Sequence, residues 1–184
     1  MKKILGLLFL TLFFGCNLTK HSLEQKSDCV KINFKTKFID KDSLGIPYYQ
    51  SDEFTDDAIK EYSIKLLKEK YSAKLKLTLI PFVNIYDSTI VDTIYKFSNN
   101  NNVIEVYRAK EKDFVINFDI TDPIFKLIGC LSIGSGKDSV VKQFGIKENI
   151  GDTIVIGNMN QTATFTFYLK NNKIVRIGSY IYFE

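Results

Sequence analysis

Apolar and polar positions alternate along much of this chain, and the places where the alternation breaks organise it. Ala73, Leu75, Leu77 and Leu79 alternate with Lys74, Lys76 and Thr78, which predicts a half-buried strand ended by Pro81. Three more strands follow at 90–97, 103–109 and 114–120. Pairing the first two of these across Asn99-Asn100-Asn101-Asn102 sets Phe97 against Ile104 and Tyr95 against Val106 on one face. Lys96 then meets Glu105 on the other face, so one register satisfies both. Phe114, Ile116, Phe118 and Ile120 are expected to line a single face of the next strand, completing a meander over a core.

Helical spacing replaces alternation between residues 51 and 71. Ala58, Ile59, Tyr62, Leu66 and Leu67 predict one helix over 55–68, with Thr55 as N-cap and Asp56 and Asp57 in its first turn, where the helix dipole favours negative charge. Asp52, Glu53, Asp56 and Asp57 form an acidic cluster, but without calcium-loop spacing or a central glycine, and capping accounts for it better. At Thr121-Asp122-Pro123 the strand pattern stops and a second module begins. Within it, Val140 and Phe144 lie four apart ahead of Gly145, which predicts a two-turn helix with a left-handed glycine stop. A strand at 153–156 and a long hairpin of 162–169 and 174–183 close the chain. For that hairpin a three-residue loop, Asn171-Asn172-Lys173, is preferred over a two-residue one because it pairs Phe167 with Ile177 and Leu169 with Val175.

The N-terminus carries a different signal. Met1-Lys2-Lys3 is basic, and Ile4 to Phe14 is an apolar run whose helical length of about 16 Å is too short to cross a bilayer. Leu12-Phe13-Phe14-Gly15-Cys16 resembles the lipobox of bacterial lipoproteins, from which it departs at Phe13 and Phe14. The resemblance implies a signal peptide over 1–15, lipidation of Cys16 and acylation of the new N-terminus. Asn17 after the cysteine is compatible with sorting to the outer membrane, and the absence of an acidic cluster there favours the periplasmic side. Residues 16–28 are polar and without periodicity, as a tether would be.

Composition narrows the chemistry. The chain has 184 residues, 45% of them hydrophobic, and 25 basic against 21 acidic residues give +4; without Lys2 and Lys3 this falls to +2. No basic run appears, which argues against nucleic-acid binding as the main role. Cys29 and Cys130 remain after Cys16, and they either form a disulfide in an exported compartment or stay as two buried thiols. Gly134-Ser135-Gly136-Lys137-Asp138-Ser139 lacks both the first glycine and the hydroxyl residue of a phosphate loop, and it reads as a turn leading into a helix. The only histidine, His21, falls in the tether, so neither a triad nor a zinc site can be assembled from it and two distant cysteines.

Ile133-Gly134, Val140 and Phe144-Gly145, followed by a hairpin with Asn171-Asn172-Lys173 at its tip, resemble the repeating unit of small outer-membrane assembly lipoproteins of the SmpA/OmlA type. They are also similar to the β-lactamase inhibitor protein, in which a helix packs on an antiparallel sheet. The resemblance covers about 123–184 and departs at Gly136 and in the absence of a conspicuous second helix. The whole chain resembles uncharacterised lipoproteins of Bacteroidetes.

These readings predict an α+β protein: antiparallel sheets with one N-terminal helix and a short helix before a C-terminal β-hairpin. Residues 29–122 would form a helix with an antiparallel meander, and 123–184 a β-α-β-hairpin module. Thr162, Thr164, Thr166 and Tyr168 are expected on one face with Arg176, Tyr180 and Tyr182, as either an interface or a solvated sheet face. The functional expectation is a non-catalytic, lipid-anchored binding or scaffold module of the cell envelope, on the outer membrane facing the periplasm. It would use no cofactor or metal and would have an envelope protein as partner. The alternatives are an inhibitor-like module docking an exported enzyme, or a weak small-ligand binder or enzyme.

Overall fold

The computed structural model describes residues 32–41, 45–110, 112–147 and 150–182. In chain order the elements are β1 (Lys37–Lys41), β2 (Pro47–Gln50), α1 (Asp52–Glu61), α2 (Ile64–Tyr71), β3 (Lys76–Val83), β4 (Val91–Ser98), β5 (Val103–Ala109) and β6 (Lys112–Ile120). A 3-10 turn (Ile128–Cys130), α3 (Lys137–Phe144), β7 (Thr153–Gly157), β8 (Ala163–Lys170) and β9 (Lys173–Ile181) follow. The strands form one nine-stranded sheet in the order β1-β2-β7-β8-β9-β6-β5-β4-β3. The class is α+β and sheet-rich, but the expectation of purely antiparallel sheets is corrected. β2 runs parallel to β7, with Tyr48 beside Val155 and Tyr49 beside Ile156.

The expected single helix over 55–68 is two helices. Phe54, Ala58 and Tyr62 form one buried stripe, whereas Ile64 and Leu67 are also fully buried. At about 100° per residue one uninterrupted helix would aim those two sets in opposite directions. The chain therefore breaks at Tyr62 and restarts at Ser63, whose side chain accepts the Leu66 N–H and caps α2. Thr55 is consequently no N-cap. It is buried inside α1, where its hydroxyl donates to the carbonyls of Ser51 and Asp52.

Two β-bulges account for the remaining differences in register. β4 and β5 pair as the alternation predicts, with Phe97 against Ile104, Tyr95 against Val106 and Lys96 against Glu105. On β6, Asn117 faces Glu105 while Val115 faces Val106, leaving Ile116 as the extra residue. Phe118, Ile120 and Val115 are buried and Phe114 is exposed, so the expected row of Phe114, Ile116, Phe118 and Ile120 is not one face. In the last hairpin the loop is the two-residue Asn171-Asn172, both with positive φ as a type I′ turn requires. Val175 then bulges between Ile174, which pairs with Leu169, and Arg176, which pairs with Tyr168. Phe167 still meets Ile177 as expected, but Leu169 does not meet Val175. Both bulges resolve the same conflict: buried residues three apart, Val115 with Phe118 and Ile174 with Ile177, cannot share a face under strict alternation.

All three described helices pack on one face of the sheet. Phe54 of α1 contacts the rings of Phe34, Phe144, Phe165 and Phe167. Phe144 of α3 also meets Phe167, and Tyr71 of α2 meets Phe125. Gly145 ends α3 in the left-handed conformation, donating its N–H to Lys142 and Val141 carbonyls. The segments before and after Pro123 are joined rather than separate: β6 hydrogen-bonds β9, β2 pairs with β7, and their buried residues form one cluster.

Candidate functional site

Among the described residues the helices lie on one side of the sheet and leave its other side open, and the side chains there follow from register. On β8 and β9, Thr164 faces Tyr180, Thr166 faces Gly178 and Tyr168 faces Arg176. Their neighbours Phe165, Phe167 and Ile177 point the opposite way and are buried. Tyr168, Tyr180 and Tyr182 are exposed, Tyr180 by 63%. The structure thus brings Tyr168, Arg176 and Tyr180 together on one solvent-facing surface, with Tyr182 just beyond the end of β9.

Arg176 is not an isolated cation within it. Its Nε and Nη2 donate to the two carboxylate oxygens of Asp119 on β6, each at 2.8 Å. The guanidinium lies over the Tyr168 ring, 5.3 Å from its centre. The hydrogen bond to Asp119 raises the Arg176 pKa further, so the charge is permanent. Gly178 leaves room beside Tyr168, whose ring a Cβ there would meet at 3.8 Å. Tyr168, Arg176 and Asp119 therefore form a fixed row across three strands, which presents one tyrosine hydroxyl and a half-exposed ion pair, with Tyr180 exposed nearby on the same face.

Farther along the same face, Asn117 donates to Glu105, which pairs with Lys96 at 2.8 Å. Beyond these, Tyr107 packs edge-on against Phe82 and donates its hydroxyl to Asp92, which also accepts from Asn84 at 2.7 Å. The bond from Tyr107, then that from Asn84, holds the Asp92 carboxyl below its ordinary range. The same bond raises Tyr107 above its ordinary value. The open face is thus hydroxylic and aromatic at β8–β9, ionic in the middle and more apolar at β3–β4.

The other residues singled out by sequence are used internally or lie elsewhere. Asp52, in the first turn of α1, accepts the Met159 N–H at 2.8 Å and the Gln50 side chain at 2.7 Å. Those bonds, the backbone one foremost, lower its pKa. Among the described residues no group of three or more His, Cys, Asp or Glu is placed to hold a metal ion. Lys137 donates its ammonium to the Ile150 carbonyl, and its N–H goes to Asn172 at 2.9 Å. Cys130 is disulfide-bonded and has positive φ. Cys16, His21 and Cys29 lie outside the described residues. A cavity of about 560 Å³ is lined by residues of 72–76 and 98–100, and one of about 160 Å³ by residues around Cys130, Ser139 and Gln143. Neither lining contains a carboxylate or histidine.

Sequence reasoning missed β1, β2 and the exposure of the β3–β4 hairpin. Pro81 was the available signal for the last of these. A proline inside an apolar alternation marks an edge strand rather than the end of one, and β3 runs through Pro81 at the sheet's edge. Comparison with protein-family models, curated proteins and solved structures gives no match.

Proposed function

We propose that this chain is a non-catalytic, lipid-anchored binding module of the cell envelope, held on the outer membrane through Cys16 and facing the periplasm. A protein partner docks on the open face of its sheet. The observation that carries the docking reading is the one-sided packing of the helices, which leaves Tyr168 and Tyr180 exposed around the fixed Arg176–Asp119 pair. Tyrosine and arginine that are already ordered give contact area and hydrogen bonds with little side-chain entropy to lose on binding. The anchoring reading rests on Lys2, Lys3, the apolar run and Cys16 in order along the sequence. A disulfide between Cys29 and Cys130 belongs to the same reading, because an exported compartment permits it.

Two measurements test these readings separately. Mass spectrometry of the N-terminal peptide should show a chain starting at an acylated Cys16, and an unmodified Cys16 removes the anchor. Affinity capture from solubilised membranes should recover a discrete partner that the Tyr168→Ala/Tyr180→Ala double variant loses. Capture undiminished by that substitution returns the patch to a plain solvated surface.

A further inference from the structure

Residues 76–98 form an arm at the edge of the sheet, and its apolar surface is uncovered on the side where the helices pack elsewhere. Leu79 is 57% exposed, Val91 61% and Tyr86 78%, with Val83, Ile85 and Ile90 also exposed. Register puts Leu79 opposite Tyr95 and Val83 opposite Val91, so these side chains share the helix-side face of the arm. Helix α2 ends at Tyr71 and reaches the arm at Tyr95 through Lys68, while Leu79, Val83 and Val91 stay exposed. Isolated exposed apolar residues are ordinary, but a contiguous set on one arm marks a surface that contacts something.

Addition of a partner strand to β3 is disfavoured by its own hydrogen bonding. The Asn84 N–H bonds the Ile90 carbonyl, so the even-numbered residues of β3 turn their backbone groups toward β4 and the odd-numbered ones face outward. Pro81 is one of the outward positions and has no N–H, which interrupts the free edge at its middle.

Charge indicates what the arm meets. From Lys60 to Lys76 there are six lysines against Glu61 and Glu69, and all six are exposed. Lys68 of α2 lies over the Tyr95 ring, 5.4 Å from its centre, and Tyr95 is the cross-strand neighbour of Leu79. Lys68 therefore borders the apolar surface directly, with Lys65 and Lys70 exposed on the same helix, and a cationic helix beside an apolar surface is the arrangement that binds an anionic lipid surface. Asp87 stands beside Tyr86, its carboxylate accepting from the Thr89 side chain and N–H, and these bonds favour its ionised form. That charge limits the tip to the headgroup region, where tyrosine is itself favoured.

We infer that the β3–β4 arm and the lysines of α2 form a second membrane contact, one that lays the domain's helix side against an anionic bilayer and leaves its open sheet face turned away. The inference rests on the anchored reading only for proximity: Cys16 precedes Ile32 by sixteen residues, a reach of at most about 55 Å.

The chain has no tryptophan, so Tyr86→Trp places a single indole at the tip. The full chain carrying it is reconstituted into phosphatidylcholine vesicles with or without phosphatidylglycerol, with brominated acyl chains as quencher. Blue-shifted emission and quenching that need phosphatidylglycerol, fall in high salt and are lost with Val83→Asp/Val91→Asp support the contact. A Tyr180→Trp chain should remain unquenched. Absence of quenching of Trp at 86, equal quenching at 180, or a blue shift that follows protein concentration without lipid, as self-association would give, each overturns it. Acylated Cys16 with an unquenched indole rejects this contact alone, and an unmodified Cys16 with a quenched one rejects the anchor alone.

Discussion

Replacing Phe54 by Ala asks whether the chain has one core or two. Phe54 is fully buried, with ring centres of Phe144 at 4.9 Å, Phe34 at 5.2 Å, Phe165 at 5.3 Å and Phe167 at 6.3 Å. It is carried by α1, whereas Phe144, Phe165 and Phe167 come from beyond Pro123, so its ring adds a side-chain link to the strand pairings that join the two segments. Removing a buried Phe costs about 3–5 kcal/mol through lost transfer energy and the cavity left behind. Edge-to-face contacts with several rings place this site at the upper end, and the better helix propensity of Ala returns about 0.5 kcal/mol. The net expectation is about 4 kcal/mol, a large share of the ~5–15 kcal/mol typical of a domain. Urea unfolding followed by far-ultraviolet circular dichroism and by tyrosine fluorescence should show a lower midpoint with coincident transitions and an unchanged slope. A loss below about 1.5 kcal/mol would refute the packing. Two separated transitions would refute the single core.

Other expectations follow from local geometry. Asp92 has a folded pKa below its unfolded value near ~3.9, so its contribution is complete above that value and is lost as pH falls through the folded one. Tyr107 is the converse, its raised folded value giving a contribution present below ~10 and lost as pH rises past it. NMR signals of Phe82 and Ile94 should therefore shift in acid and in strong alkali, and Asp92→Asn should abolish the acid-side change; an acid response retained in that variant would place its origin elsewhere. Gly129 and Gly45 both have φ of +76°, but a Cβ at Gly129 would come within 1.8 Å of the Gln143 side chain while one at Gly45 meets nothing within 4 Å. Gly129→Ala should cost clearly more in thermal unfolding than Gly45→Ala, for which backbone strain alone predicts about 1 kcal/mol. Equal costs would mean that Gln143 moves aside freely.

What could be read from the sequence was what local pattern alone decides. The β4–β5 register was legible because Phe97 with Ile104 and Lys96 with Glu105 satisfy opposite faces at once, and the end of α3 because Gly145 can adopt positive φ. The bulges at Ile116 and Val175 were not, since an extra residue appears only when buried residues three apart must both reach the core. Nor was the break at Ser63: Leu66 and Leu67 extend a plausible stripe, and only the demands of Ile64 and Leu67 against the sheet show that the helix must restart. Of the candidate surface, the shared face of Tyr168, Arg176 and Tyr180 was legible through alternation. The fixing of Arg176 by Asp119 was not, because it depends on β9 lying beside β6, fifty-seven residues away in sequence. Leu75 is buried and Leu79 exposed on one alternating strand, because alternation names a face but does not say how far α2 covers it.

The central claim, a partner docked on the open face, is tested most directly by site-specific photocrosslinking in intact cells. A photoreactive residue replaces Tyr180 on the open face or the exposed Lys65 of helix α2, with the rest of the chain unchanged. Position 180 should give a discrete crosslinked protein species that position 65 does not, and that species should disappear when Tyr168→Ala is added. Equal crosslinking from both positions, or none from position 180, would contradict the account.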